Sequence, residues 1–85
     1  MSKYKVVLSK KAIKFLDRIP ENLSEKILEN IISLEVNPRP FGYKKLIGRE
    51  GYRIRYGDYR VLYDINDAVF IVDIIEIGNR KNIYK

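Results

Sequence analysis

Residues 52–65 read Tyr52-Arg53-Ile54-Arg55-Tyr56-Gly57-Asp58-Tyr59-Arg60-Val61-Leu62-Tyr63-Asp64-Ile65. The segment is rich in aromatic and β-branched residues, alternates in character along the chain, and is interrupted at Gly57-Asp58. A two-residue connection with glycine first is a hairpin turn. If it is the turn, Tyr56 opposes Tyr59, Arg55 opposes Arg60, Ile54 opposes Val61 and Arg53 opposes Leu62. Alternation then sends Ile54, Tyr56, Tyr59 and Val61 to one face, and Arg53, Arg55 and Arg60 to the other. One face of this hairpin is core and the other is cationic.

Working outward, Asn66-Asp67 reads as a second turn and Ala68–Ile77 as an apolar strand ended by Gly78. Under that turn Arg60 would lie opposite Asp73, so an ordinary cross-strand ion pair is an alternative use for it. Residues 79–85 form a short polar tail. Upstream, residues 37–51 (opening Asn37-Pro38-Arg39-Pro40) read as a loop. Before the loop, Leu23, Ile27, Ile31 and Leu34 recur at helical spacing, with Leu28 and Ile32 widening the stripe. Ala12, Phe15, Leu16 and Ile19 do the same behind Ser9, a good N-cap, and Pro20 separates the two helices. Tyr4–Leu8 reads as a strand. The order β-α-α-β-β-β predicts an α+β fold, a helical hairpin packed on a small, mainly antiparallel sheet. Eighty-five residues leave room for one domain, 1–85.

Composition narrows the chemistry. The chain has no cysteine and no histidine, so disulfides, thiolate metal sites and the usual general base near neutral pH are all missing. No metal or other cofactor is expected, and catalysis must come from Arg, Lys, Tyr or a carboxylate. Lysines at 3, 5, 10, 11 and 14 leave no apolar core for a secretory leader, and no run is long enough to span a bilayer. The expectation is a soluble, cytoplasmic protein with no membrane partner.

The net charge of +6 is blocked along the chain. Residues 1–19 hold six basic side chains and one acid, residues 39–60 seven and two, and residues 61–76 four acids alone. Such blocks suit a nucleic-acid surface, and suit a solubilising one nearly as well. The Arg55–Arg60 pair is more telling. Two guanidiniums across a strand pair repel by about 0.8 kcal/mol in bulk water, and by several-fold more at lower dielectric. Like charges directly opposite destabilise a sheet. A phosphate between them would reverse the sign, because arginine offers forked donors matched to its oxygens.

The ordered set Lys45-Leu46-Ile47-Gly48, Tyr52-Arg53-Ile54-Arg55, Tyr59-Arg60-Val61-Leu62-Tyr63 and Ile77-Gly78-Asn79-Arg80, with a closing Tyr84, resembles the RelE/ParE superfamily of toxins from type II toxin–antitoxin pairs. The likeness is to its RelE-like branch and covers nearly the whole chain. It implies a toxin that enters the ribosomal A site and cleaves messenger RNA by metal-independent attack of the 2′-hydroxyl on the adjacent phosphate. Arg53, Arg55, Arg60, Arg80 and Tyr84 match the family's catalytic positions. Lys44, Lys45, Arg49 and Lys81 would bind RNA or the ribosome, and the basic first helix (Lys10, Lys11, Lys14, Arg18) would add non-specific attraction. Some relatives carry lysine at position 55 as a general base. Arginine stays protonated and accepts protons poorly. Tyr84, water or a ribosomal group are the remaining acceptors.

The resemblance also implies partners: the ribosome and its message, a cognate RelB-like antitoxin, and operator DNA contacted through that antitoxin. Two other functions fit the same fold. A ParE-like toxin would inhibit DNA gyrase by protein contact, and a non-catalytic RNA-binding module would use the arginines without cutting.

Overall fold

The computed structural model describes residues 3–79; Arg80, Lys81 and Tyr84 lie outside the described residues. The elements are β1 (Lys5–Leu8), α1 (Lys10–Arg18), α2 (Glu21–Ser33), β2 (Lys44–Lys45), β3 (Tyr52–Tyr56), β4 (Tyr59–Asn66) and β5 (Ile71–Asn79). One five-stranded sheet has the order β1-β5-β4-β3-β2. Only the β1–β5 pair is parallel. The fold is α+β, as expected, with one strand more: β2 is a two-residue strand inside what reads as a loop.

Helix and sheet share one core. Ala12 from α1, Ile27 and Ile31 from α2, and Leu34 just after it are fully buried against Ile54, Val61, Tyr63, Val72, Ile74 and Ile77 of the sheet. Ile32, expected to widen the α2 stripe, is half exposed at 50%. Its position lies too far round the helix from Ile27, Ile31 and Leu34 to reach the sheet.

Ser9 fixes the start of α1 in two ways. Its Oγ accepts from the Ala12 backbone N–H at 3.0 Å, and its hydroxyl donates to the Ile75 carbonyl at 2.7 Å, tying the helix to β5. The outer edge of β1 is covered by Glu35, whose carboxylate accepts from the Val6 N–H and whose carbonyl accepts from Lys3 and Tyr4. An edge strand closed in this way does not invite further pairing.

The first hairpin has the expected register: Tyr56 pairs with Tyr59, Arg55 with Arg60, Ile54 with Val61 and Arg53 with Leu62. Gly57 turns the corner at φ 58°, a conformation glycine adopts at no steric cost. The second hairpin differs from expectation. β4 continues through Asn66, residues 67–70 make the turn, and β5 runs from Ile71 to Asn79, so Gly78 lies within the strand instead of ending it. The reason is local: the Asn66 side-chain oxygen accepts from the Ala68 and Val69 N–H groups, which winds an apolar stretch into a turn. An irregularity beside Leu62 and Tyr63 shifts the ladder again. Arg60 therefore pairs with Gly78, and Asp73 pairs with Asp64. The Arg60–Asp73 cross-strand pairing does not form.

The segment between α2 and β2 is held from below and from the side. The buried Tyr63 hydroxyl donates to the Pro38 carbonyl at 2.7 Å. Arg39 pairs with Asp67 at 2.9 Å, and the Tyr4 hydroxyl donates to the same carboxylate. These contacts pin the 37–40 segment to the β4–β5 turn.

Candidate nucleic-acid interface

The open face of the sheet, away from the helices, carries the candidate residues. Arg53, Arg55, Arg60 and Leu62 project there by strand alternation, since their neighbours Ile54 and Val61 point into the helix-side core. Leu62 is 3% exposed yet lies outside that core cluster, so the open face has a covered centre of its own.

Arg60 occupies that centre. It is 5% exposed, the one buried charged residue among those described. Arg55 is directly opposite on β3 and Gly78 directly opposite on β5. Paired residues project to the same face, and glycine at 78 adds no side chain of its own there.

Arg60 and Arg53 line a cavity of about 610 Å³ together with Lys44, Lys45, Leu46, Ile47, Arg49 and Leu62. Five of these eight residues are cationic and none is acidic. Lys44 pairs directly with Arg53 on β3, a second like-charge pair beside Arg55–Arg60. Each such pair costs stability in an empty sheet and becomes favourable around a bound anion.

The loop carrying Arg49 is built to hold a shape. The Leu46 N–H donates to the Gly51 carbonyl at 3.0 Å, closing the 46–51 turn. Gly48 and Gly51 take φ values of 77° and 115°. A side chain at Gly51 would also meet the Tyr63 carbonyl at 3.1 Å and Leu46 Cδ1 at 3.3 Å.

Not every expected residue shares the cavity. Arg55 lines a separate, smaller one of about 340 Å³, at the β3 edge, with Asn30, Ser33, Pro40, Phe41, Gly42 and Ile54. The α1 cations Lys10, Lys11, Lys14 and Arg18 line a third groove with Phe15, Glu76 and Ile77, where Lys11 pairs with Glu76 at 3.6 Å. Their attraction for an anion is thus partly answered within the protein. Among the described residues no group of three or more carboxylates comes together as a metal site would require.

Sequence reasoning passed over Leu46, Ile47, Leu62 and Phe41. Ile47 and Phe41 are 98% and 107% exposed. The signal was available for Phe41, a bulky aromatic between Pro40 and Gly42 in a turn, where no core can receive it.

Electrostatics away from the cavity concern the clamp. Hydrogen bonding from Arg39, then from Tyr4, lowers the Asp67 carboxyl below its usual value. The same carboxylate raises Arg39 and Tyr4. Burial raises the Tyr63 phenol well above an ordinary tyrosine.

A chemically simple device results: guanidinium and ammonium groups around a half-enclosed space, with an apolar wall formed by Leu46, Ile47 and Leu62. It can bind a phosphodiester and stabilise added negative charge on it without any proton leaving the arginines. The family model for the ParE toxin of type II toxin–antitoxin systems (parDE) matches residues 6–84. The chain belongs to the RelE/ParE toxin superfamily. Within it, the similarity is to RelE proteins. The chain is 36% identical to the RelE1 protein of Methanocaldococcus jannaschii, over 98% of this chain and 97% of that one. It is 34% identical to toxin RelE of Mycobacterium tuberculosis, over 96% of this chain and 87% of that one. The crystal structure of the archaeal RelE–RelB complex from Pyrococcus horikoshii superposes with a TM-score of 0.81 at 33% identity, covering 93% of this chain and 97% of its counterpart. The RelE-like fold and toxin family read from the motifs are therefore correct. The match also spans Arg80, Lys81 and Tyr84, beyond the described residues.

Proposed function

We propose that this RelE-like toxin is an endoribonuclease that cleaves messenger RNA in the ribosomal A site and so stops translation. The observation that carries the reading is the burial of Arg60, paired across the sheet with Arg55 and Gly78, at a cavity to which the described residues bring five cations and no carboxylate. A surface selected for stability alone would not gather like charges there.

In the proposed reaction the 2′-oxygen bonds to the adjacent phosphorus and the bond from phosphorus to the 5′-oxygen breaks. The 2′-hydroxyl proton leaves to a base and the 5′-oxygen gains a proton, giving a 2′,3′-cyclic phosphate and a 5′-hydroxyl. Arg60 and Arg80 stabilise the charge on the pentacoordinate phosphate, with Arg80 beside the leaving oxygen. Arg53 and Arg55 hold the backbone, and Tyr84 stacks on a base or orients the 2′-hydroxyl. Lys44, Lys45, Arg49 and Lys81 add backbone and ribosome contacts. Because position 55 is arginine where some relatives carry lysine, the proton acceptor is Tyr84, water or a ribosomal group.

The likeness to a RelE found in complex with RelB supports a RelB-like antitoxin as partner, which would neutralise the toxin and carry the pair to operator DNA. Cytoplasmic action follows from the ribosomal target. Among the described residues no helix is long and apolar enough to cross a membrane.

The test is a translating extract in which wild type yields A-site cuts with 2′,3′-cyclic phosphate ends, and Arg60→Ala, Arg80→Ala and Tyr84→Ala do not. The ParE description of the matching family model favours one second reading, inhibition of DNA gyrase by protein contact. Lost supercoiling activity with intact message would select it.

A further inference from the structure

Little within β2 holds it in place. The strand is two residues long and lies at the edge of the sheet, against β3. Lys44 stands directly opposite Arg53, so like charges work against the pairing that presents them. The support comes from the other face. The Tyr43 ring packs on Tyr52 at a centroid distance of 5.8 Å, and Tyr52 packs on Tyr63 at 5.9 Å. Tyr63 is fully buried, and its hydroxyl donates to the Pro38 carbonyl in the segment that leads into β2. The Tyr43 N–H in turn donates to the Pro40 carbonyl at 3.0 Å. A row of three rings thus ties the entry to β2 onto the helix-side core.

We propose that Tyr43 is a positioning residue for the cationic site: its ring, packed on Tyr52, fixes the register of β2 that sets Lys44 opposite Arg53. The proposal rests on the phosphate-binding reading of that cavity and adds to it a residue outside the lining. Lys44 and Arg53 both line the cavity, whereas Tyr43 does not. Tyr43 immediately precedes the strand and packs against the helix-side core, so its side chain and that of Lys44 are committed to opposite faces. A slip of β2 by one residue would turn Lys44 toward the core and Tyr43 toward the arginines. The half-buried ring opposes that slip, because it would lose both its aromatic neighbour and its cover. Tyr43 acts through Lys44, and losing the ring is felt at the cavity as losing one cation.

The test is a double-mutant cycle read as salt dependence. Each protein is titrated, over a series of salt concentrations, with a single-stranded 2′-O-methyl oligoadenylate, which has no free 2′-hydroxyl to attack. Lys44→Ala is expected to reduce the slope of log affinity against log salt by about 0.7, the share of one phosphate contact on a single strand. Tyr43→Ala is expected to reduce it equally although it removes no charge, and Tyr43→Phe to keep the wild-type slope. The double variant is expected to lose no more than either single one. A ring needed only for stability would lower the melting temperature and leave the slope of the folded protein unchanged, and that result overturns the proposal. A double variant that loses the sum of the two singles overturns it as well. Tyr43→Leu keeps apolar bulk without the ring and carries the same expectation where Tyr43→Ala does not fold. If Lys44→Ala leaves the slope unchanged, the phosphate-binding role of Lys44 fails and the proposal with it. If Lys44→Ala flattens the slope and neither Tyr43→Ala nor Tyr43→Leu does, the cationic site stands and the proposal alone falls.

Discussion

Arg55 and Arg60 face each other across the β3–β4 ladder, the first exposed and the second 5% exposed. Their like charges, directly opposed, are what an anion bound on this face would relieve. Removing the repulsion should stabilise the empty protein. Arg55→Thr, which keeps a residue suited to a strand, is expected to raise stability by about 0.2–1 kcal/mol at low salt. The gain should shrink as salt rises toward 0.15 M, roughly where screening shortens to about 8 Å. Urea melts at two ionic strengths measure both.

The cationic cavity makes a quantitative statement about RNA binding. If Lys44, Lys45, Arg49, Arg53 and Arg60 each neutralise one phosphate, the logarithm of affinity for single-stranded RNA falls against log salt with a slope of about −3.5. Each single substitution to Ala should remove about 0.7 from that slope. A slope near zero would mean that the cluster does not meet the backbone.

Gly51 supports the site through the fold. At its φ of 115° a methyl group would strain the backbone and crowd the Tyr63 carbonyl at 3.1 Å. Gly51→Ala should cost about 1–3 kcal/mol by thermal or chemical melting. It should also weaken RNA binding, because the 46–51 turn that presents Arg49 has to open.

Asp67 and Tyr63 give the fold opposite pH limits. The folded-state carboxyl of Asp67 is lowered by Arg39 and then Tyr4, so its contribution is complete above the unfolded value near about 3.9. It is lost as pH falls through the lower folded value. Asp67→Asn should thus be less stable than wild type at pH 7 and converge with it in acid. The Tyr63 phenol is raised by burial, so its contribution is complete below the unfolded value near about 10 and is lost as pH rises through the folded one. Tyr63→Phe should flatten the alkaline limb. At neutral pH it should cost about 1–3 kcal/mol, because the Pro38 carbonyl loses its donor.

Legibility from the sequence followed the chemistry of individual residues. The first hairpin was readable to the register because Gly57-Asp58 admits few turn geometries and a one-residue slip would bury Arg55 in the helix-side core. The second was not. Ala68-Val69-Phe70 is apolar enough to pass for strand, but the Asn66 side chain captures two of its N–H groups and Phe70 takes φ 55°. β2 escaped notice because two residues carry no periodicity. Among site residues, Arg53 and Arg60 were brought to one cavity as alternation implied, whereas Arg55 opens onto the β3 edge. That separation depends on how the loop folds over β3, which strand alternation alone does not encode. The apolar wall of the cavity was only partly hidden: Leu62 opposes Arg53 and so shares its face by alternation, whereas Leu46 and Ile47 are brought there by the loop.

The most direct measurement is primer extension on a message translated in extract with wild type or Arg60→Met, a change that keeps length and bulk while removing the charge. Wild type should give cuts confined to ribosome-occupied codons, and Arg60→Met should reduce them about 10²–10³-fold, the scale of losing one pre-positioned charge-stabilising group, with its circular-dichroism spectrum unchanged. Undiminished cutting by a folded Arg60→Met protein would contradict the account, since the buried guanidinium would then have no part in the chemistry.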